Sequence, residues 1–409
     1  MTFLSPMRNQ PSSCLTRPAS QRWRRVVVLA VILVVLAASS APFRAAAEPK
    51  VSATTEWTYA FSQQLTFGAF LESDEPIEDV VLFYGVVGEP IVRRIYPALT
   101  PGTSPSVAHT ELLEPGQFAP GTLLRAWWEV VLASGATVVT PEEQLLYIDE
   151  AIQWQELVSD RVTLYWHGRS QSQAEELLEA AEEVIDRLAA EMGVPSPDAV
   201  QIWVYNNERD MARATSTRSE SYDARVTTLG MAMDGGTLLL LGSHRDVRQT
   251  LAHELCHVVV GLATDNPYIE IPRWLDEGLA MNAEGELPRD NQRALQSAIA
   301  GDELLTLRSL TSYTGDAQLV NLYYAQAHSV VAYMLDAYGR EAMQELLRVF
   351  SEGQRQDAAL ERVLGYGLEE LESRWRISLG LEPLPPLSST RHEEPLLISA
   401  ARAALGKPF

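Results

Sequence analysis

The run H-E-L-C-H at positions 253–257 constrains this chain more than any other feature. Residues four positions apart lie on one face of an α-helix, so His253 and His257 can bind one metal ion between them. Glu254 would project beside that ion, where it can act as a base on a water molecule. The opposite face is predicted to be an apolar stripe, formed by Val247, Leu251, Leu255, Val258 and Leu262. The pattern therefore predicts a helix with one face in the core and one face at a metal.

A carboxylate-bearing run follows this motif. Two histidines leave a tetrahedral zinc ion one protein ligand short, because the fourth position is kept for water. The run P-R-W-L-D-E-G-L-A at 272–280 places a proline before a short helical pattern that carries two acidic residues. Its separation from His257 suits a second helix that folds back over the first. An H-E-x-x-H match alone can arise by chance on a buried helix. The second run makes a chance match a poor explanation here.

Together the two runs resemble the gluzincin branch of the zinc peptidases, the peptidase MA-like family, over residues 160–380. The resemblance implies one Zn²⁺ ion as the cofactor and Glu277 as its third protein ligand. It also implies that a tyrosine in a Y-A-Q segment stabilises the negative charge of the tetrahedral intermediate, and Tyr324 occupies that position. His328, one turn further along the same helix face, is the rival for this role. The alternative for Tyr324 is an ordinary aromatic residue packed on a core.

Residues that would orient the zinc ligands are less evident. Zinc-bound histidines usually donate their second ring nitrogen to a carboxylate or a carbonyl. Some gluzincins place an aspartate four residues after the glutamate ligand, where this chain has Met281. Asp276 and Glu284 are the candidates that remain. Cys256 lies inside the motif, but its position does not bring it between the histidines, so we expect a small buried residue there.

The composition limits the partners. The chain has 409 residues and a formal net charge of −22. Such an acidic surface repels nucleic acid and anionic lipid, so we expect a peptide or protein substrate and no nucleic acid. The oligomeric state is not indicated by any pattern in the sequence.

The N-terminus has the order of an export signal. Arg22, Arg24 and Arg25 precede an unbroken apolar run at 26–38, and three alanines at 45–47 offer a cleavage site. Residues 1–47 are therefore predicted to be a signal peptide or an uncleaved N-terminal anchor, which would be the sole membrane attachment. In both cases the rest of the chain would be secreted or otherwise extracytoplasmic.

Residues 48–150 have the pattern of an all-β module. Apolar residues alternate at 65–71, and further strand-like runs stand at 80–84, 123–132 and 136–140, separated by Pro and Gly. Short strands over about 100 residues favour an immunoglobulin-like β-sandwich, although no cysteine pair supports it. The adjacent Trp127 and Trp128 can form a sugar-stacking platform, but more often one such ring lies in the core and the other covers a strand face.

The remainder has an α+β pattern. Strands are predicted at 162–166, 200–205 and 237–241, with a helix at 173–192 after the first, and the chain beyond Glu277 is helical. The fold class is therefore α+β. It comprises a gluzincin-type zinc peptidase domain at 155–380, with a small mixed sheet, the H-E-x-x-H helix and a helical C-terminal half, preceded by the immunoglobulin-like sandwich. The resemblance implies that the sheet's edge strand binds the substrate backbone, and 238–241 is our candidate. Residues 381–409 are predicted to be a proline-rich linker and a short C-terminal tail.

These patterns predict an exported zinc metallopeptidase with Glu254 as its general base. One alternative is a catalytically inactive binding or scaffold protein that keeps the fold. Another is a zinc amidase that acts on a cell-wall amide. The intact Glu254 favours an active enzyme, because a degenerate site usually loses that residue early.

Overall fold

The computed structural model describes residues 50–215, 229–233 and 236–383. The predicted signal peptide or anchor at 1–47 and nearly all of the proline-rich tail lie outside these residues. The chain divides into Met1–Val51 and a compact unit that begins at Ser52, and apart from Val51, the first residue of β1, every element described below lies in the second unit. No helix within the described ranges is both long and apolar enough to cross a bilayer.

The first part of the compact unit is all β. It has eight strands: β1 (Val51–Ala60), β2 (Gln64–Ser73), β3 (Ile77–Val86), β4 (Val92–Ile95), β5 (Ser106–Leu112), β6 (Thr122–Leu132), β7 (Thr137–Val139) and β8 (Glu143–Tyr147). They form one sheet in the order β1-β2-β5 and another in the order β4-β3-β6-β7, with β8 also paired to β6. The alternation predicted at 65–71 is confirmed, because Leu65, Phe67, Ala69 and Leu71 are buried and the residues between them, including Phe70, are not.

The inner faces of the two sheets are joined by aromatic residues. Phe67 of β2 and Tyr84 of β3 have ring centroids 5.2 Å apart, and both side chains are buried. Trp128 is buried as well, whereas Trp127 stacks on Phe83 at 5.3 Å on the other face of the sheet. Trp128 therefore lies in the core, and Trp127 covers the outer face of the sheet. The arrangement is a two-sheet β region, and its immunoglobulin-like topology stays a prediction.

A mixed five-stranded sheet follows. Its strands are β9 (Gln155–Val158), β10 (Val162–Trp166), β11 (Val200–Tyr205), β12 (Gly230–Met233) and β13 (Thr237–Leu241). They lie in the order β12-β13-β11-β10-β9. The three central strands are parallel, and both outer strands are antiparallel to their neighbours. Apolar residues line both faces of β13, which is buried along its whole length.

The helices are α1 (Gln171–Met192), α2 (Glu208–Ala212), α3 (Val247–Ala263), α4 (Arg273–Glu284), α5 (Arg289–Gly301), α6 (Val320–Ser351), α7 (Gln356–Leu364) and α8 (Leu368–Ser378). Helix α1 begins with a capping box, in which Ser170 and Gln173 satisfy each other's backbone N–H groups, and it ends at a left-handed Gly193. Gly339 has φ 80° and interrupts α6. The predicted α+β class, with a helical C-terminal half, is confirmed.

Two expectations need correction. The candidate edge strand at 238–241 is β13, which lies between β12 and β11, so among the described strands β12 forms this edge of the sheet. The buried face of α3 also differs from the predicted apolar stripe. Leu262 is 43% exposed, whereas Val259 and Val260 are buried. The helix therefore buries the side that faces the sheet and α4, and Leu262 lines a cleft.

Candidate metal centre

Two helices bring the predicted ligands together. Helix α3 carries His253 and His257 one turn apart, and α4 runs back across it with Glu277 in its first turns. Helix α4 can lie close to α6 because residue 278 is glycine. A Cβ there would stand 2.5 Å from the carbonyl oxygen of Ala327. The spacing of the two sequence runs predicted a second helix that folds back over the first, and the structure has this arrangement.

Three potential ligand atoms converge at this crossing. Glu277 Oε2 lies 3.3 Å from Nε2 of His253 and 3.6 Å from Nε2 of His257. One ligand atom from each residue lies within 4.8 Å of the others. Ligand atoms at 2.0–2.1 Å from a tetrahedral zinc would stand about 3.3 Å apart, which is close to the two distances from Glu277 Oε2. Glu277 Oε2 is also buried and has no hydrogen-bond partner among the described residues, so the residues present fit a cation.

Both histidines have a carboxylate at their second ring nitrogen. Asp276 Oδ1 lies 2.9 Å from Nδ1 of His257, and Glu284 Oε1 lies 2.6 Å from Nδ1 of His253. These contacts leave the two Nε2 atoms facing Glu277. Asp276 and Glu284 were the two candidates that the sequence left for this orienting role, and each contacts a different histidine.

Tyr313 is a residue of the centre that the sequence analysis missed. Its hydroxyl donates a hydrogen bond to Glu277 Oε1, which leaves Oε2 directed at the histidines. The guanidinium of Arg273 lies over the Tyr313 ring, 5.1 Å from its centroid. Tyr313 comes from the connection between α5 and α6, where no periodic pattern marks it.

The charges of the centre are strongly coupled. Burial alone would raise the pKa of Glu277, but His253, His257 and Tyr313 lower it to about 2. Burial would lower the pKa of His253, yet the carboxylates of Glu277 and Glu284 raise it well above its usual value. A cation held here would take the place of the proton shared among these groups.

Glu254 projects from α3 towards the edge strand β12 rather than towards Glu277. It is 6% exposed, and burial raises the pKa of its carboxyl group. Ala232 of β12 gives it a backbone hydrogen bond. A Cβ at Gly230 would stand 2.6 Å from Glu254 Oε1, so only glycine lets the strand lie this close. The edge strand and the predicted base are therefore in contact.

Cys256 is buried within α3, and burial raises the pKa of its thiol well above the usual value. It belongs to the apolar core under the helix. The expected role as a small packing residue is confirmed.

A cleft of about 950 Å³ opens over the centre. Glu254, both histidines, Glu277 and all of β12 line it, and so does Tyr324. The rings of Tyr324 and His253 have centroids 6.4 Å apart. His328 does not line this cleft, and burial lowers its pKa. Of the two candidates for the second stabilising role, only Tyr324 therefore faces the cleft.

Comparison with known proteins places a family match on this region. Residues 180–380 match the Peptidase MA superfamily. No curated protein sequence matches the chain. The match spans α3, α4 and every helix described after them.

The chain also matches solved structures at low sequence identity. One is an M1 zinc metallopeptidase from Deinococcus radiodurans, with 12% sequence identity, a TM-score of 0.35 and coverage of 82% of this chain and 94% of that chain. A mutant of an M1 zinc metallopeptidase from the same organism, bound to a Tyr-Ser-Ala substrate, has 14% identity, a TM-score of 0.35 and the same coverage. An aminopeptidase N family protein from Idiomarina loihiensis has 10% identity and a TM-score of 0.35, over 74% of this chain and 69% of that chain.

Proposed function

We propose that the protein is an exported zinc-dependent metallopeptidase that hydrolyses peptide bonds, because residues 180–380 match the Peptidase MA superfamily. The chain has a zinc peptidase-like fold. The observation that carries the proposal is the convergence of His253, His257 and Glu277 in a cleft that Glu254 also lines. The proposed export rests on the sequence of residues 1–47.

One Zn²⁺ ion would be held by Nε2 of both histidines and by Oε2 of Glu277. When bound, zinc polarises a carbonyl group and lowers the pKa of a coordinated water molecule to about 7. Asp276 and Glu284 would keep the histidine rings oriented, and Tyr313 would keep the second oxygen of Glu277 away from the metal.

Glu254 would act as the general base and then as the acid. Its carboxylate would take a proton from the attacking water and later give it to the leaving amine. Burial raises the pKa of Glu254, which suits a group that must both accept and release a proton near neutral pH. Its contact with Ala232 holds the carboxyl group beside the substrate-binding edge rather than at the metal.

The substrate would lie along β12. This strand pairs with β13 on one side, and its residues line the cleft. An extended peptide can add to such an edge through backbone hydrogen bonds. The Tyr324 hydroxyl would then donate a hydrogen bond to the developing oxyanion. The strand-addition role moves from 238–241 to Gly230–Met233, because only the latter is an edge.

Separate variants test metal binding and catalysis. Glu254→Gln keeps the side-chain shape and removes the base, so zinc content should be unchanged while turnover falls by at least about 10²-fold. His253→Ala, His257→Ala and Glu277→Ala each remove a ligand and should lower zinc content as well as activity. The measurements are metal analysis of the purified proteins and cleavage of a peptide library, with and without a zinc chelator.

Each alternative has its own outcome in this experiment. Full activity of Glu254→Gln would overturn the peptidase proposal. Zinc binding without cleavage of any peptide or amide by the wild-type protein would favour the scaffold alternative. Hydrolysis of cell-wall amides, without cleavage of peptides, would favour the amidase. Full zinc content in Glu277→Ala would assign the third ligand to another residue.

A further inference from the structure

A second cavity, of about 490 Å³, lies beside the metal cleft. We call it the side cavity. Ile269, Ile271 and Pro272 give it apolar walls, together with the ring of Tyr313, and Arg355 lines it as well. A space of this size and composition is suited to a substrate side chain or a short peptide segment.

The side cavity adjoins the metal cleft. Five residues line both spaces: Ile269, Glu270, Ile271, Arg273 and Tyr313. Tyr313 is the closest link, because its hydroxyl contacts the proposed ligand Glu277 while its ring forms a wall of the side cavity. A peptide bound across the metal centre would therefore lie next to the residues that line this cavity.

The loop between the two spaces is held in place by Asn266. The Asn266 amide donates to the carbonyl oxygens of Thr264, Ile269 and Phe350, at 2.9, 2.9 and 3.2 Å. Its side-chain oxygen accepts from the N–H groups of Tyr268 and Ile269, at 3.0 and 2.9 Å. These bonds tie the loop to itself and to α6. The wall of the side cavity is thus formed before any ligand binds.

The two arginines at the side cavity differ in whether their guanidinium groups are paired with carboxylates. Arg273 is neutralised, since its guanidinium lies 3.2 Å from Asp276 and 3.8 Å from Glu270. Arg355 is exposed and makes no salt bridge within the described ranges. It lines both the side cavity and a further cavity of about 640 Å³ around Tyr268 and Gly353. An arginine that makes no salt bridge with any described residue and lies beside apolar walls is suited to bind a carboxylate.

We propose that the side cavity is a substrate subsite that binds the peptide on one side of the scissile bond, and that Arg355 pairs with a carboxylate of that segment. The carboxylate belongs either to an acidic side chain or to the peptide's C-terminus. The apolar walls contact the aliphatic part of the residue that carries this carboxylate. This inference rests on the proposed peptidase function and adds a substrate class to it, namely peptides with a carboxylate at a fixed distance from the cleaved bond.

The test uses the full-length protein and synthetic peptides. A randomised peptide library first identifies a cleaved sequence. Matched peptides then carry Glu or Gln at each position around the scissile bond, and a free or an amidated C-terminus. At one position, or at the C-terminus, wild-type kcat/KM should be about fivefold higher for the carboxylate than for the amide. The preference should weaken with added salt, because the arginine is exposed.

Three variants identify the residue. Arg355→Gln should abolish the preference, and Arg355→Lys should retain much of it. Arg289→Gln is the matched control, since Arg289 is also exposed, makes no salt bridge within the described ranges and lines none of the cavities above. It removes the same charge from an acidic protein and should leave the preference intact.

The outcomes separate this inference from the function on which it rests. Cleavage without any carboxylate preference, or with a preference that survives in Arg355→Gln, would overturn the subsite and leave the peptidase standing. A preference lost equally in both glutamine variants would assign it to overall charge and overturn the subsite as well. Cleavage of no peptide by the wild-type protein would overturn the function and the subsite together.

Discussion

Two tyrosines at the candidate metal centre contact different parts of it. The Tyr313 hydroxyl donates a hydrogen bond to Oε1 of Glu277. The Tyr324 ring lies beside His253 and lines the cleft. The first can act on the metal through its ligand, and the second can act on the substrate. Replacing each by phenylalanine removes one hydroxyl and keeps the ring, so the two variants form a matched pair.

Tyr324→Phe should impair chemistry and leave metal binding intact. If the hydroxyl stabilises the oxyanion, kcat should fall by about 10²-fold with a near-normal KM, because the lost bond exists chiefly in the transition state. Zinc content should equal that of the wild type. Steady-state kinetics and metal analysis check this. An unchanged kcat would transfer the role to another donor, with His328 the first to examine.

Tyr313→Phe should have the opposite profile. Without the hydrogen bond to Oε1, the Glu277 carboxylate is free to rotate, and the dissociation constant for zinc should rise about tenfold or more. At saturating zinc, kcat should stay close to the wild-type value. Competition with a chelating dye measures the first quantity. Wild-type zinc affinity in this variant would show that packing alone positions Glu277.

The sequence locates the residues of the centre that share a helix. His253, Glu254 and His257 can be identified because helical periodicity relates them locally, and Asp276 and Glu284 remain as two candidates for orienting the histidines. Tyr313 could not be found in this way, since it stands 36 residues beyond Glu277 in a connection without periodicity. Its role depends on where the connection between α5 and α6 crosses α4, which only the tertiary structure determines.

At the scale of elements, the approach of α4 to α6 depends on one glycine. Gly278→Ala would place a methyl group 2.5 Å from the Ala327 carbonyl oxygen and from Val331 Cγ2. We expect it to lower the free energy of unfolding by about 1–3 kcal/mol, because the helices must separate. Gly261→Ala in α3 is the control. Its methyl group would meet nothing within 4 Å, so helix propensity should raise stability by up to about 1 kcal/mol. Urea unfolding measures both, and equal effects would contradict the close crossing.

The bounds of elements with strong periodicity were predicted well, but the order of the strands in the mixed sheet was not. The alternation in β2 and the 3.6-residue pattern of α1 locate both elements close to their observed bounds. The edge of the mixed sheet was misplaced because a short run such as G-M-A-M at 230–233 has no pattern of its own. An unbroken apolar run such as that of β13 is typical of a strand buried on both faces, and it should have excluded an edge position.

At the scale of the whole molecule, the β region and the mixed sheet share a core. Alternate residues of β11 and β13 face away from the α1 and α3 side, and Trp203 and Tyr205 are among them. The Trp154 ring packs edge-on against these two, with centroids at 4.9 and 5.1 Å. The indole N–H of Trp154 donates to the carbonyl oxygen of Asp149. Asp149 is buried and pairs with Arg213 beyond β11, at 2.7 Å.

This shared core predicts that the boundary near 150–155 is a structural joint and not a free linker. Wild-type protein should therefore unfold in one calorimetric transition that includes both regions. Trp154→Ala removes the ring between them and should cost about 3 kcal/mol, or split the transition into two. Trp127→Ala is the matched control, because that tryptophan is also half-buried but stacks only across the outer face of its own sheet, so its cost should stay near 1 kcal/mol. Two transitions in the wild type, with the zinc-dependent one unmoved by Trp154→Ala, would show instead that the regions are separable domains and that the β region can be removed without loss of the metal centre.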